Sequence, residues 1–273
     1  MKPMSLRSVL VVTLLVPILS IPAWAATSCS AVADNPRQPA QIQADGGTFP
    51  VPPSRDVKDC SSISIASGRV VLMFETAAGD AKSLLCGSDG QRCVVPNGAK
   101  AILGSLRARV SGGRGVVAAL QGGSERRTAA KRYDEDSQRL EGLPSGKIHS
   151  LERAGLFDFR ALGTGGWSLV VTREPGHAAI FQRSGSDAVI QLPSNLFQRG
   201  GKYGWVLNAG GKRFTGGFDV LAPGPAADVE RDLRDAGVTG GARTRKQQID
   251  ELMVLFDHDL DHEVRILYRE LGL

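Results

Sequence analysis

Leu156-Phe157-Asp158-Phe159-Arg160, Trp167-Ser168-Leu169-Val170-Val171-Thr172 and Tyr203-Gly204-Trp205-Val206-Leu207-Asn208 decide the fold class. Large apolar side chains recur at every second position in each run, the period of a strand with one buried face. Shorter runs of the same kind lie at residues 178–182, 188–192 and 217–221, with glycine-rich turn signals between them. A turn about every eight to twelve residues is the spacing of an all-β sandwich, not of alternating strands and helices. A mainly β protein is therefore expected, with a sandwich over residues 143–222.

Upstream, Ser61-Ser62-Ile63-Ser64-Ile65 alternates and Arg69-Val70-Val71-Leu72-Met73-Phe74-Glu75 is a denser apolar run, with Ser67-Gly68 as the turn between. Strands are expected at residues 82–86 and 92–95 around a hairpin tip, and a short one near 41–43, giving a small β unit over residues 27–97. All four cysteines (Cys29, Cys60, Cys86, Cys93) fall inside it. Facing strand ends bring Cys86 and Cys93 into disulfide range, and Cys29 and Cys60 then pair by elimination. Zinc would require C-x-x-C pairs, which the spacing does not supply.

Residues 1–26 have the three-part pattern of a secretory signal peptide. Lys2 and Arg7 precede an apolar run to Ile21, and Ala23-Trp24-Ala25 presents small residues before Ala26. A periplasmic or secreted protein is the expectation; the alternative is an inner-membrane protein held by an uncleaved segment. Removing Lys2 and Arg7 reduces the net charge from +5 to +3, too mild to imply nucleic acid. Residues 98–142 form a Gly/Arg-rich linker, partly helical, with Ile102, Leu103 and Leu106 on one face. A solvated linker explains its basic residues; contact with an anionic surface through Arg107, Arg109, Arg114, Arg126 and Arg127 is the sharper alternative.

Residues 143–221 resemble immunoglobulin-like or fibronectin type III-like sandwiches of exported bacterial proteins. The similarity rests on the early Phe157 and Phe159, the Trp-led strand, Leu192-Pro193 ahead of Leu196, and Gly201-Lys202-Tyr203-Gly204-Trp205-Val206. It implies that Tyr203 and Trp205 point together into the core. With the cysteine-bearing unit ahead of it, the layout is similar to periplasmic regulators of the FecR type, which implies adhesion or sensing.

Beyond Pro223-Gly224-Pro225 the period becomes helical. A short helix is expected at 228–236, a second capped by Thr244 and ending near Asp257, and a third from about Asp261, so that residues 225–273 form a helical hairpin. Its apolar positions spread over more than one face of each helix, so a second face needs a cover. A protein partner in the envelope is the expected cover, contacted by Phe256, Leu260, Leu267 and Tyr268. Aspartate at positions 256 and 267 should then abolish binding and leave the sandwich intact.

Little points to catalysis. No G-x-S-x-G elbow occurs, and the paired glycines lack the following helix and Lys-Ser/Thr of a phosphate loop. His258 and His262 are four apart, and a continuous helix would place both on one face, with Asp259 between them as a third candidate ligand through its carboxylate oxygen. The expected function is a non-enzymatic binding or scaffolding module without cofactor. The alternative is a metal-dependent hydrolase built on His258 and His262.

Overall fold

The computed structural model describes residues 27–44, 46–61, 63–87, 93–111, 142–163, 165–238 and 240–273. The segment read as a signal peptide, residues 88–92 expected at a hairpin tip, and Arg114, Arg126 and Arg127 lie outside the described residues.

Two sheets face each other in the first unit. One has the order β4-β1-β6-β7, from β1 (Cys29–Ala33), β4 (Ser54–Val57), β6 (Arg69–Glu75) and β7 (Ala81–Gly87), with β8 (Lys100–Ala101) also paired to β6. The other has the order β3-β2-β5, from β2 (Ala40–Ala44), β3 (Gly47–Val51) and β5 (Ser64–Ser67). Ile42, Val57, Ile65 and the Cys29–Cys60 disulfide lie in the core between them. The dense apolar run of β6 has a physical reason. Val70, Leu72 and Phe74 enter this core, while Val71 and Met73 enter a second one on the opposite face. A strand buried on both sides has no polar position to alternate with.

Cys86–Cys93 is also bonded. Of the strand expected at 92–95, residue 92 lies outside the described residues, and residues 93–95 carry no regular structure. Non-reducing peptide mapping should recover the two links separately. The sequence separations are 31 and 7 residues, so chain-closure entropy predicts about 3–4 kcal/mol for Cys29–Cys60 and about 2 kcal/mol for Cys86–Cys93. Replacing the first pair by alanine should therefore lower the melting temperature more than replacing the second; the reverse order would refute the closure argument.

In the second unit a five-stranded sheet runs β12-β11-β14-β15-β9, from β9 (Gly146–Ile148), β11 (Trp167–Glu174), β12 (Ala178–Gly185), β14 (Lys202–Ala209) and β15 (Lys212–Val220). β9 joins β15 in parallel and the other pairs are antiparallel. A ribbon of β10 (Leu156–Asp158) with β13 (Val189–Gln191), and short 3-10 turns, make the thinner opposite layer of this sandwich. Trp167, Leu169, Val171, Tyr203, Trp205 and Leu207 all enter the core, as their alternation predicts. Tyr203 stacks on Phe218 at 5.3 Å between centroids, and the Trp205 Nε1–H donates to the Pro144 carbonyl at 2.8 Å. Gly216 lies opposite Trp205, where a Cβ would stand 2.2 Å from the indole, so the bulky ring dictates a glycine across the ladder.

Among the described residues five helices complete the fold: α1 (Leu103–Ser111), α2 (Leu151–Ala154), α3 (Pro223–Asp235), α4 (Arg245–Asp257) and α5 (Asp261–Glu270). Ser30 Oγ accepts the N–H groups of Ile102 and Leu103 at 3.1 Å and anchors the start of α1. Thr244 and Gln247 form a capping box on α4. The partner-facing assignment of the hairpin is corrected here. Phe256, Leu260, Leu267 and Tyr268 are buried in one apolar cluster with Val71 and Met73 of β6 and Leu106 of α1. The cover that the amphipathic pattern demands is the chain's own first sheet. No helix of the described residues is long and apolar enough to cross a membrane. The two disulfides are compatible with an oxidising compartment.

Candidate functional site

The three residues of the metal alternative are dispersed by one turn. α4 ends at Asp257 with His258 as its cap, Asp259 takes a left-handed φ of 57°, and α5 restarts at Asp261. The four-residue spacing therefore does not run along one helix. His258 Nε2 contacts Asp232 of α3 at 2.8 Å, Asp259 pairs with Arg109 at 2.8 Å, and His262 is fully buried elsewhere. Among the described residues no group of three or more His, Cys, Asp or Glu is placed to hold a metal.

Two of the five arginines proposed for an anionic surface instead tie α1 to the C-terminal helices. Arg109 donates to the Phe256 carbonyl at 2.7 Å with its guanidinium 4.0 Å over the Phe256 ring, and Arg107 Nε donates to the Tyr268 hydroxyl at 3.3 Å.

An open groove of about 790 Å³ lies between α3, α4 and the β6–β7 turn. Asp80, Asp232, Asp235, Asp250 and Asp257 line it, against Lys82, Lys246 and His258. The two central carboxylates are positioned from opposite sides. Asp257 accepts the Ala81 N–H at 3.1 Å, and burial, with the neighbouring Asp80 carboxylate, pushes its carboxyl above the usual range. Asp250 is held by Lys246 at 2.6 Å, one turn away on α4, and accepts the Ser83 hydroxyl. The pieces of a nucleophilic site are present but not connected as one: Ser83 hydrogen-bonds a carboxylate, while the groove's imidazole is engaged by Asp232. An open groove of net negative charge suits a cationic ligand better than a bond-breaking step.

A second polar cluster, missed in the sequence, joins the helices to the second unit. Glu263, fully buried on α5, accepts the N–H of His149 at 2.9 Å and of Ser150 at 2.8 Å, at the start of α2. Burial pushes its carboxyl up, against the pull of those two donors. Glu251 of α4 pairs with Arg153 at 3.1 Å and with Arg243, and Arg265 donates to Ser145 at 2.5 Å. His262 sits among them. The Arg153 backbone lies close enough to favour its protonation slightly, yet neither ring nitrogen makes a hydrogen bond of normal geometry. Burial, then Arg265 and Arg153, hold its pKa down to about 3. Apart from Arg243 and Glu251, eight residues apart, no local signal announces these pairs, because the partners stand 98 to 120 residues apart.

Comparison with known proteins returns no matching family model, no matching curated protein and no matching solved structure.

Proposed function

We propose that this chain is an exported, non-enzymatic binding or scaffolding module of the bacterial envelope, acting in the periplasm through protein–protein contacts. The observation that carries the reading is the groove between α3, α4 and the β6–β7 turn, with five aspartates against two lysines and one histidine. Such a concave surface of net negative charge raises the local concentration of a basic segment and orients it. The signal-like N-terminus, the two disulfides and the similarity to FecR-type regulators favour the same compartment.

Asp80 and Asp235 are exposed at the groove, so replacing both by asparagine leaves the packing intact. The immobilised mature chain should retain a basic envelope protein from extract at moderate salt, and the Asp80→Asn/Asp235→Asn form should retain roughly tenfold less. Equal retention by both forms would remove the groove from the account. No retained protein, together with hydrolytic turnover by the purified chain, would overturn the binding reading itself.

A further inference from the structure

The sandwich of the second unit meets the helices without a shared apolar core. Among the described residues, the sandwich core draws only on residues 143–220, and the cluster that joins the helices to the first sheet includes none of them. What crosses the joint is polar. Glu263 accepts the N–H groups of His149 and Ser150, Glu251 pairs with Arg153, and Arg265 donates to Ser145. Arg199 reaches both the His149 carbonyl and Glu230 of α3. Each such contact replaces one with water and gains little net, so one uncompensated buried charge weighs heavily in the balance.

His262 is placed to supply that charge. Its ring is fully buried at the joint, and neither nitrogen makes a hydrogen bond of normal geometry. An imidazolium there would carry two buried donors, each in need of an acceptor. The surrounding groups do not compensate. Arg265 and Arg269 on α5 itself, and Arg153 on α2, all oppose a further positive charge. Of the carboxylates, Glu251 on α4 is engaged by Arg153 and Arg243, and Glu263 by its two backbone donors. Arg107 and Arg109 of α1 are engaged by Tyr268 and by Asp259 and Asp261. His149, on the sandwich side, resists charging in the same sense, through burial and then Arg199, and reaches Glu230 only at 3.7 Å. Glu263 works the other way, because burial favours its neutral form. Both its oxygens already face N–H donors, so a proton on either meets a donor, and that counterweight is limited.

We infer that this joint is an acid-sensitive hinge, at which uptake of a proton by His262 detaches the sandwich from the helices while each keeps its own core. A histidine charged inside an apolar core would break that core. Here the loss falls on polar contacts, because neither core crosses the boundary. The described backbone still links the two at Leu221-Ala222, between β15 and α3. Once exposed, the ring titrates near its ordinary value, so its charging favours opening roughly tenfold per pH unit below about 6.5. The inference does not depend on what the groove binds.

Native-state hydrogen exchange of the mature chain at pH 7, 6 and 5, corrected for intrinsic rates, tests it. The His149 and Ser150 amides should be protected roughly tenfold less, or weaker still, than the core amides of β6 and β14, and their protection should fall from pH 7 to pH 5. With His262→Leu, the ratio of joint protection in the variant to that in the parent should grow roughly tenfold per pH unit below about 6.5. Joint amides that exchange in step with both cores at every pH would overturn the inference, since the molecule would then open only as a whole. So would joint protection that holds from pH 7 to pH 5, or a His262→Leu protein that loses it as the parent does. The comparison of joint with core amides is made in the parent chain, and it decides alone if the leucine form does not fold.

Discussion

Leu267→Asp should leave little folded protein. Leu267 is 1% exposed, in the apolar cluster that α1, α4 and α5 share with β6. Losing the isobutyl group from such a site costs about 2–5 kcal/mol, and a carboxylate placed there has no cationic partner in the cluster. The sum reaches or exceeds the 5–15 kcal/mol or so by which a typical domain is stable at its lower end. Soluble yield should collapse, or the first melting transition should fall steeply. Ile266→Asp, one residue away on the half-buried side, should cost about 1 kcal/mol or less. This reverses the expectation drawn from the amphipathic pattern, in which aspartate at 256 and 267 leaves the fold intact and removes only a partner. A soluble Leu267→Asp protein melting like its parent would restore that expectation, since the face would then be free for a partner.

Acid should destabilise the native chain through His262, and Leu at that position should remove the effect. The imidazole has a pKa of about 3 in the fold, against about 6.5 in an unfolded chain. The unfolded state therefore binds more protons between those values, and stability rises with pH across the window. The contribution is complete above pH 6.5 and is lost as pH falls toward 3, at up to about 1.4 kcal/mol per unit. Glu263 works against this slope: its raised carboxyl takes up a proton early, which relieves part of its burial cost as pH falls. His149, also lowered by burial and by Arg199, acts in the same sense as His262. Comparing the parent with His262→Leu isolates the one ring. The variant's advantage should grow by about 3 kcal/mol between pH 7 and pH 4, measured by denaturant melts. A constant difference across that range would mean that the ring titrates near its ordinary value and is not enclosed by the joint.

Residues 167–171 and 203–207 disclosed their strands, their inward faces and the shared orientation of Tyr203 and Trp205, because a half-buried strand writes its burial into every second residue. Cysteine number and spacing likewise disclosed both disulfides, and Thr244 with Gln247 marked the start of α4. These are local constraints, each satisfied within a few residues or by a count. The amphipathic excess of the C-terminal helices showed that a cover was required but not what it was. An apolar stripe encodes how much surface must leave water and nothing about the surface it meets, so only the packed chain could identify Val71 and Met73 as the cover. The same holds for the histidines. His258 and His262 kept a zinc-like spacing in the sequence, and a single left-handed residue, Asp259, sent one to Asp232 and the other into the joint beside Arg153 and Glu263. Charge pairing across more than ninety residues leaves no periodic trace in the sequence. It arises only when the two β units and three helices are brought against one another, and there burial, not spacing, sets what each ionisable group can do.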